Sequence, residues 1–238
     1  MPSPSEESFA DRLGRGRLMQ AAIAAFTPTF APADISLAPA AFNTFLDSVA
    51  AFNTAVGNAE ATWKNNAQSR VTMVKDVKAK ALRVLSRVKS NTLWKGQVAL
   101  VKAAVDELRG YRLPRLKSPP NVTPPVKTKA KGDQSYSDIK GLLDKVISRL
   151  AQVSGYTTGA PADITTLALT TLATTLDTLN KTIAANEVTL YGARATRTAA
   201  YDADDTGLKA KMLAIKSATL SQYTAQSSQY LEIKGIRV

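Results

Sequence analysis

Chemistry in this chain has to come from carboxylates, Lys, Arg, Tyr, Ser and Thr, because its 238 residues include neither cysteine nor histidine. Disulfide frameworks, zinc sites built on Cys or His, thiol nucleophiles and imidazole acid–base catalysis are therefore excluded. The densest acidic run is Tyr201-Asp-Ala-Asp-Asp-Thr-Gly207. Asp202, Asp204 and Gly207 fall at the first, third and sixth places of a calcium loop. The twelfth place is Leu213, where such a loop needs a bidentate Glu. The run is read instead as an interhelical turn, with an N-cap at Asp205 or Thr206. No carboxylate pair shares a helix face and no glycine-rich phosphate loop occurs. The expectation is a protein that is not an enzyme and has no cofactor, metal or small-molecule substrate.

The basic residues make the second chemical pattern. From Lys64 to Lys95 there are nine Lys or Arg and one acid, Asp76. On a helix, Lys80, Arg83 and Arg87 lie opposite the apolar stripe Val74, Val77, Ala81 and Val88. With Lys127, Lys129 and Lys131 further on, they are the candidate phosphate-binding residues, able to follow a nucleic-acid backbone without reading bases. Apart from Trp94 no aromatic residue interleaves with the charges of 64–95, so a solvated basic face, or one facing an acidic patch on a partner subunit, competes with that reading. The net charge of +12 is uneven: residues 1–112 contribute +6, 113–135 contribute +4 and 136–238 contribute +2.

The elements that must position these residues occur twice. Pro32-Ala-Asp-Ile35 returns as Pro161-Ala-Asp-Ile164, Phe9-Ala-Asp-Arg12 matches Tyr136-Ser-Asp-Ile139, and Val77-Lys-Ala-Lys-Ala-Leu82 matches Leu208-Lys-Ala-Lys-Met-Leu213. The offsets, 129, 127 and 131 residues, point to a duplicated unit of roughly a hundred residues. In copy one, Phe42, Val49, Val56 and Trp63 recur every seven residues, with Phe45, Phe52 and Ala59 three later each time. In copy two, Leu169, Leu172, Leu176, Leu179, Ile183 and Leu190 form the corresponding stripe. A second amphipathic run follows in each copy: Val71, Val74, Val77, Ala81, Leu85 and Val88, then Leu208, Met212, Ile215 and Tyr223. Shorter helices are predicted at 6–25, 96–110, 136–153 and near 227–234. Asp34 and Asp163 read as N-caps of the long helices, and the threonines of 165–182 as a face that packs or hydrogen-bonds between helices. The best strand pattern, Ile233–Val238, is too short to build a sheet.

The expected architecture is all-α: two tandem, homologous antiparallel bundles of three to four helices each, at 1–112 and 136–238, joined by a basic linker at 113–135. The linker holds five of the chain's 11 prolines, which favours an extended polyproline path. Its Leu113, Leu116, Val122 and Val126 are the candidate docking residues, spaced so that an extended chain can set several into a groove of another subunit.

The stretches Gly207-Leu-Lys-Ala-Lys-Met-Leu-Ala-Ile-Lys-Ser217 and Ser228-Gln-Tyr-Leu-Glu-Ile-Lys-Gly-Ile-Arg-Val238 resemble a family of uncharacterised bacterial proteins. So do Val88-Lys-Ser-Asn91 with Trp94, and Asp133-Gln-Ser-Tyr136. The resemblance implies two helical halves joined by a basic, proline-rich connector, and it carries over no catalytic residue.

The function expected is a non-enzymatic structural protein that self-assembles as a homo-oligomer or filament. The alternative is a basic nucleic-acid-associated protein with weak, sequence-independent binding. No apolar run is long enough to span a membrane. Met1-Pro-Ser-Pro-Ser-Glu-Glu lacks the pattern of a signal peptide, so cytoplasmic synthesis is expected, with non-classical export to the cell surface left open.

Overall fold

Residues 39–90 contain one glycine, Gly57, and no proline after Pro39, so nothing in them interrupts a helix. In a computed structural model describing residues 4–110 and 135–238, the two amphipathic runs of copy one accordingly merge into one 52-residue helix. The helices, in chain order, are α1 (Pro4–Ala25), α2 (Pro39–Ser90), α3 (Val98–Arg109), α4 (Tyr136–Ala151), α5 (Thr166–Asp202), α6 (Leu208–Tyr223) and α7 (Ser228–Lys234). Three short 3-10 turns lie at Ile35–Leu37, Thr92–Gln97 and Ala162–Ile164. Among the described residues there is no strand, and the all-α expectation holds. The C-terminal candidate strand instead begins inside α7, which ends at Lys234.

Copy two breaks where copy one does not. α5 stops at Asp202 and the chain turns over Ala203–Gly207, with the Gly207 amide donating to Ala203 O at 3.0 Å. A Cβ on Gly207 would lie 2.6 Å from the Ala203 nitrogen, so the turn closes only around glycine. Gly207 itself occupies the N-cap of α6, and neither Asp205 nor Thr206 does.

Other local expectations are also revised. Asp34 caps only the 3-10 turn Ile35–Leu37, accepting from the Ser36 amide at 2.9 Å. Asp163 lies within its own 3-10 turn, and the first turn of α5 is capped by Thr165, whose Oγ1 accepts from the Ala168 amide at 3.2 Å. Thr170, Thr171, Thr174, Thr175, Thr178 and Thr182 face solvent. Each donates to the carbonyl four residues back, at 2.8–3.1 Å. A hydroxyl satisfied within its own turn has no need of a neighbouring helix. α4 begins with a full capping box between Ser135 and Asp138.

Packing divides the chain into a split unit, Met1–Trp63 with Asn186–Val238, and a continuous unit, Lys64–Ala185. These are not the two bundles at 1–112 and 136–238 expected from the repeat, because each unit draws its core from both sequence copies. In the split unit, Met19 and Ile23 of α1 and Phe42, Leu46 and Val49 of α2 join Leu208, Met212 and Ile215 of α6 and Ile233 of α7. In the continuous unit, Val77, Val84 and Val88 of α2 and Val101, Val105 and Leu108 of α3 join Ile139, Leu143, Val146 and Leu150 of α4. Leu169 and Leu176 of α5 complete that core. Each such side chain contributes about 1.5–3 kcal/mol by leaving water.

The two units share one recipe with the copies exchanged. Met19, Ile23, Leu37, Phe42, Leu46 and Val49 correspond to Val146, Leu150, Ile164, Leu169, Ala173 and Leu176, all buried and all 127 residues apart. Val77, Ala81, Val84 and Val88 correspond to Leu208, Met212, Ile215 and Thr219, 131 residues apart. The offset steps once, at the Ala203–Gly207 turn. On this register the repeated Pro-Ala-Asp-Ile is out of step by two residues: Ile35 is 82% exposed whereas Ile164 is buried, and Leu37 is the true counterpart of Ile164.

Candidate functional site: clasps between the sequence copies

Three of the basic side chains of α2 have partners within the continuous unit. Lys80 pairs with Asp76 at 2.5 Å, and Arg83 pairs with Asp163 through both carboxylate oxygens. Arg87 donates to the carbonyls of Tyr156 (3.1 Å) and Thr158 (2.8 Å), and its guanidinium lies 5.6 Å and 5.5 Å from the Trp94 and Tyr156 ring centroids. Trp94 Nε1 donates to Ser154 O at 2.9 Å, and the buried Tyr156 hydroxyl donates to Ile164 O at 2.9 Å. Residues of copy one thus hold the loop that leads into α5 of copy two. The hydrogen bond from Arg83 keeps the Asp163 carboxyl below the usual carboxylate range. Burial pushes the Tyr156 phenol up to about 12, so it stays neutral and serves as a donor. Arg83 and Arg87 therefore act here as fasteners, while the Lys80 pair stays within α2. Lys127, Lys129 and Lys131, like the docking candidates Leu113, Leu116, Val122 and Val126, lie outside the described residues.

The split unit holds its equivalent loop by the same means, with copy two grasping copy one. Tyr223 packs edge-on against Phe26, centroids 5.5 Å apart, and its hydroxyl donates to Pro28 O at 2.5 Å. Gln222 receives the Ala31 amide and donates to Thr29 O, both at 2.9 Å, while Gln229 donates to Thr27 O at 2.8 Å. Lys211 Nζ donates to Ser36 Oγ at 3.2 Å. An aromatic with a polar tip is suited to this task, because its ring fills the core while its donor satisfies a loop carbonyl.

A second clasp sits at the first turns of the repeats. In the split unit the guanidinium of Arg197, only 8% exposed, lies 4.2 Å from the Phe9 ring centroid. In the continuous unit Arg70 stands 3.8 Å over Tyr136. Asn180 Nδ2 donates to Tyr136 O at 3.2 Å. Its counterpart Asn53 reaches Phe9 through an intermediate: Asn53 Nδ2 donates to the Tyr201 hydroxyl at 2.8 Å, which donates to Phe9 O at 2.9 Å. Burial raises the Tyr201 phenol above its ordinary pKa, which again favours the neutral donor. Arg12 adds a contact to Asp202 at 2.5 Å and one to Tyr201 O at 3.2 Å. Arg197 Nε and Asn53 Oδ1 have no hydrogen-bond partner, and neither do Arg70 Nε and Asn180 Oδ1.

These clasp residues were not singled out from sequence, although a signal existed. Asn53 with Asn180 and Arg70 with Arg197 are identical polar residues 127 apart, among a small number of identities between these helices. Elsewhere, Asp202 is spent on Arg12, and no cluster of three acidic residues suited to a metal occurs among the described residues. Among those residues no helix is long and apolar enough to cross a membrane. No family model, curated protein or solved structure matches this chain.

Proposed function

We propose that this is a non-enzymatic structural protein that self-assembles into a homo-oligomer or filament, its partner being a second copy of itself. The observation that carries this reading is a repeated surface. Leu82 and Leu213 occupy matching positions and are 39% and 48% exposed, and Leu100 and Leu231 match in the same way at 45% and 51%. A single exposed leucine is ordinary. Two that stay apolar and exposed in both copies, where core positions between the copies have changed size, indicate a contact made twice. A molecule with two like contact points can associate head to tail, and such contacts give filaments when the rotation between subunits does not close.

Light scattering and negative-stain imaging at physiological salt test this reading on the parent and on a Leu82→Glu, Leu213→Glu double variant. Particles or filaments from the parent and their loss from the variant are expected. A parent that stays monomeric, or a variant that assembles equally well, contradicts it. The nucleic-acid reading draws no support from Arg83 and Arg87, which hold the Tyr156–Ile164 loop, or from Lys80, which pairs with Asp76 on its own helix.

A further inference from the structure

The split unit is built from two stretches separated by the entire continuous unit. Both are covalently tied to that unit, because α2 and α5 each contribute residues to both. Neither stretch closes a core alone: Leu46 and Val49 from the first share one apolar cluster with Leu208 and Met212 from the second. A second molecule offers the same complementary stretch. We infer that the chain assembles by exchange, with residues 1–63 of one molecule closing on residues 186–238 of another. Every contact of the split unit is then remade between chains, at little cost beyond opening it. Reciprocal exchange gives a dimer, and one-way exchange leaves a free stretch at each end and propagates.

The pairing is keyed against the homologous stretch of the same chain. Arg12 meets Asp202 at 2.5 Å, whereas the position matching Asp202 in copy one is Lys75, which would repel it. Gly16 leaves room for Leu208, and a Cβ there would come within 3.1 Å of Leu208 Cδ1. In the continuous unit the corresponding pair is reversed in size, Leu143 with Val77. The N-terminal stretch is thus matched to residues 186–238, its own or a neighbour's.

This inference rests on the self-assembly reading and adds a second joint to it: exchange links chains through the split-unit core, and the exposed leucines join the linked chains to one another. The test co-refolds equal amounts of Arg12→Asp and Asp202→Arg chains and separates the products by native mass spectrometry. Either variant alone places like charges together, whether closed on itself or exchanged with its twin. In the exchanged mixed dimer the introduced aspartate meets the introduced arginine in one split unit, and the other keeps the native pair. A several-fold excess of mixed over like dimers is expected, and equal proportions of mixed and like dimers overturn exchange.

The chain carrying both changes regains the pair internally and should behave as the parent. If the single variants fold only when mixed, exchange is supported. If they fold neither alone nor mixed while the double variant folds, it fails. A second measurement uses the parent alone, as nitrogen-15-labelled and unlabelled dimers. Exchanged dimers should form mixed-mass species only after joint unfolding and refolding, and mixing under native conditions contradicts exchange. A parent that assembles yet fails these tests retains the self-assembly reading without exchange. A parent that is always monomeric removes both.

Discussion

The split and continuous units fill equivalent cores with different parts. The continuous unit has α3, a 12-residue helix that buries Val101, Ala104, Val105 and Leu108, and the side chains around it are modest: Val77, Ala81, Val146 and Val153. The split unit has only the seven-residue α7, which buries Ile233, and at the matching positions it carries Leu208, Met212, Met19 and Phe26. Phe30 and Tyr223 add further ring volume. Larger side chains thus stand in for a missing helix face. Core volume and patterning persisted through duplication while individual residues did not, as expected for interiors that tolerate compensated substitution. Gly16 with Leu46 and Leu208, set against Leu143 with Ala173 and Val77, is the same exchange in miniature.

The largest way to break this comparison is to place a charge in one core. Val49 is fully buried in the split unit, and Val49→Asp should destabilise it by about 4 kcal/mol. Hydrogen exchange should report lost protection in α1 and α6 before α3 and α4, and Leu176→Asp should reverse that order. Next comes overpacking. Gly16→Leu should cost about 1–3 kcal/mol in denaturant unfolding. Adding Leu46→Ala and Leu208→Val, the continuous unit's combination, should recover most of it. The cation–π clasps sharpen the contrast further: Phe9→Leu should cost about 2 kcal/mol because Arg197 is desolvated, and Tyr136→Leu about 1 kcal/mol because Arg70 is wetter.

The smallest effect is set by pH. With the Tyr156 phenol raised from 10.0 to about 12, the folded state holds its proton more tightly than the unfolded chain. The stability this gives is complete below pH 10.0 and is lost as pH rises through about 12. Tyr156→Phe should cost about 1 kcal/mol at neutral pH through the lost bond to Ile164 O, and should flatten the alkaline decline. Denaturant titrations below and above pH 10.0 check both statements.

The helices themselves were legible in the sequence. Heptad spacing and the amphipathic runs place α1 through α7 closely, although the two runs of copy one form a single helix. Partner choice was not legible. An apolar stripe such as Val77, Ala81, Val84 and Val88 shows which face is buried and nothing about which helix covers it. Pairing within a copy and pairing across copies bury the same stripes. The information that decides lies in size and charge keys such as Gly16–Leu208 and Arg12–Asp202, which are visible only once the register is known. The Pro-Ala-Asp-Ile repeat misled for a related reason. Identical letters sit two residues out of structural step, so Asp34 caps a turn while Asp163 binds Arg83. The role of Arg87 was not legible because charge on a helix reads as solvated until the carbonyls of Tyr156 and Thr158 are placed against it.

The central claim is that each packed unit needs both sequence copies, and cutting the chain between them tests it most directly. A protease site inserted between Ala130 and Lys131 allows the folded protein to be cleaved into its two copies without touching either core. Cross-copy packing predicts that the fragments co-elute as one helical species on size exclusion and separate only in denaturant. Isolated, each should lose most of its helical circular dichroism, and equimolar remixing should restore it. Two fragments that separate under native conditions and remain fully helical on their own would contradict the account and restore the tandem arrangement.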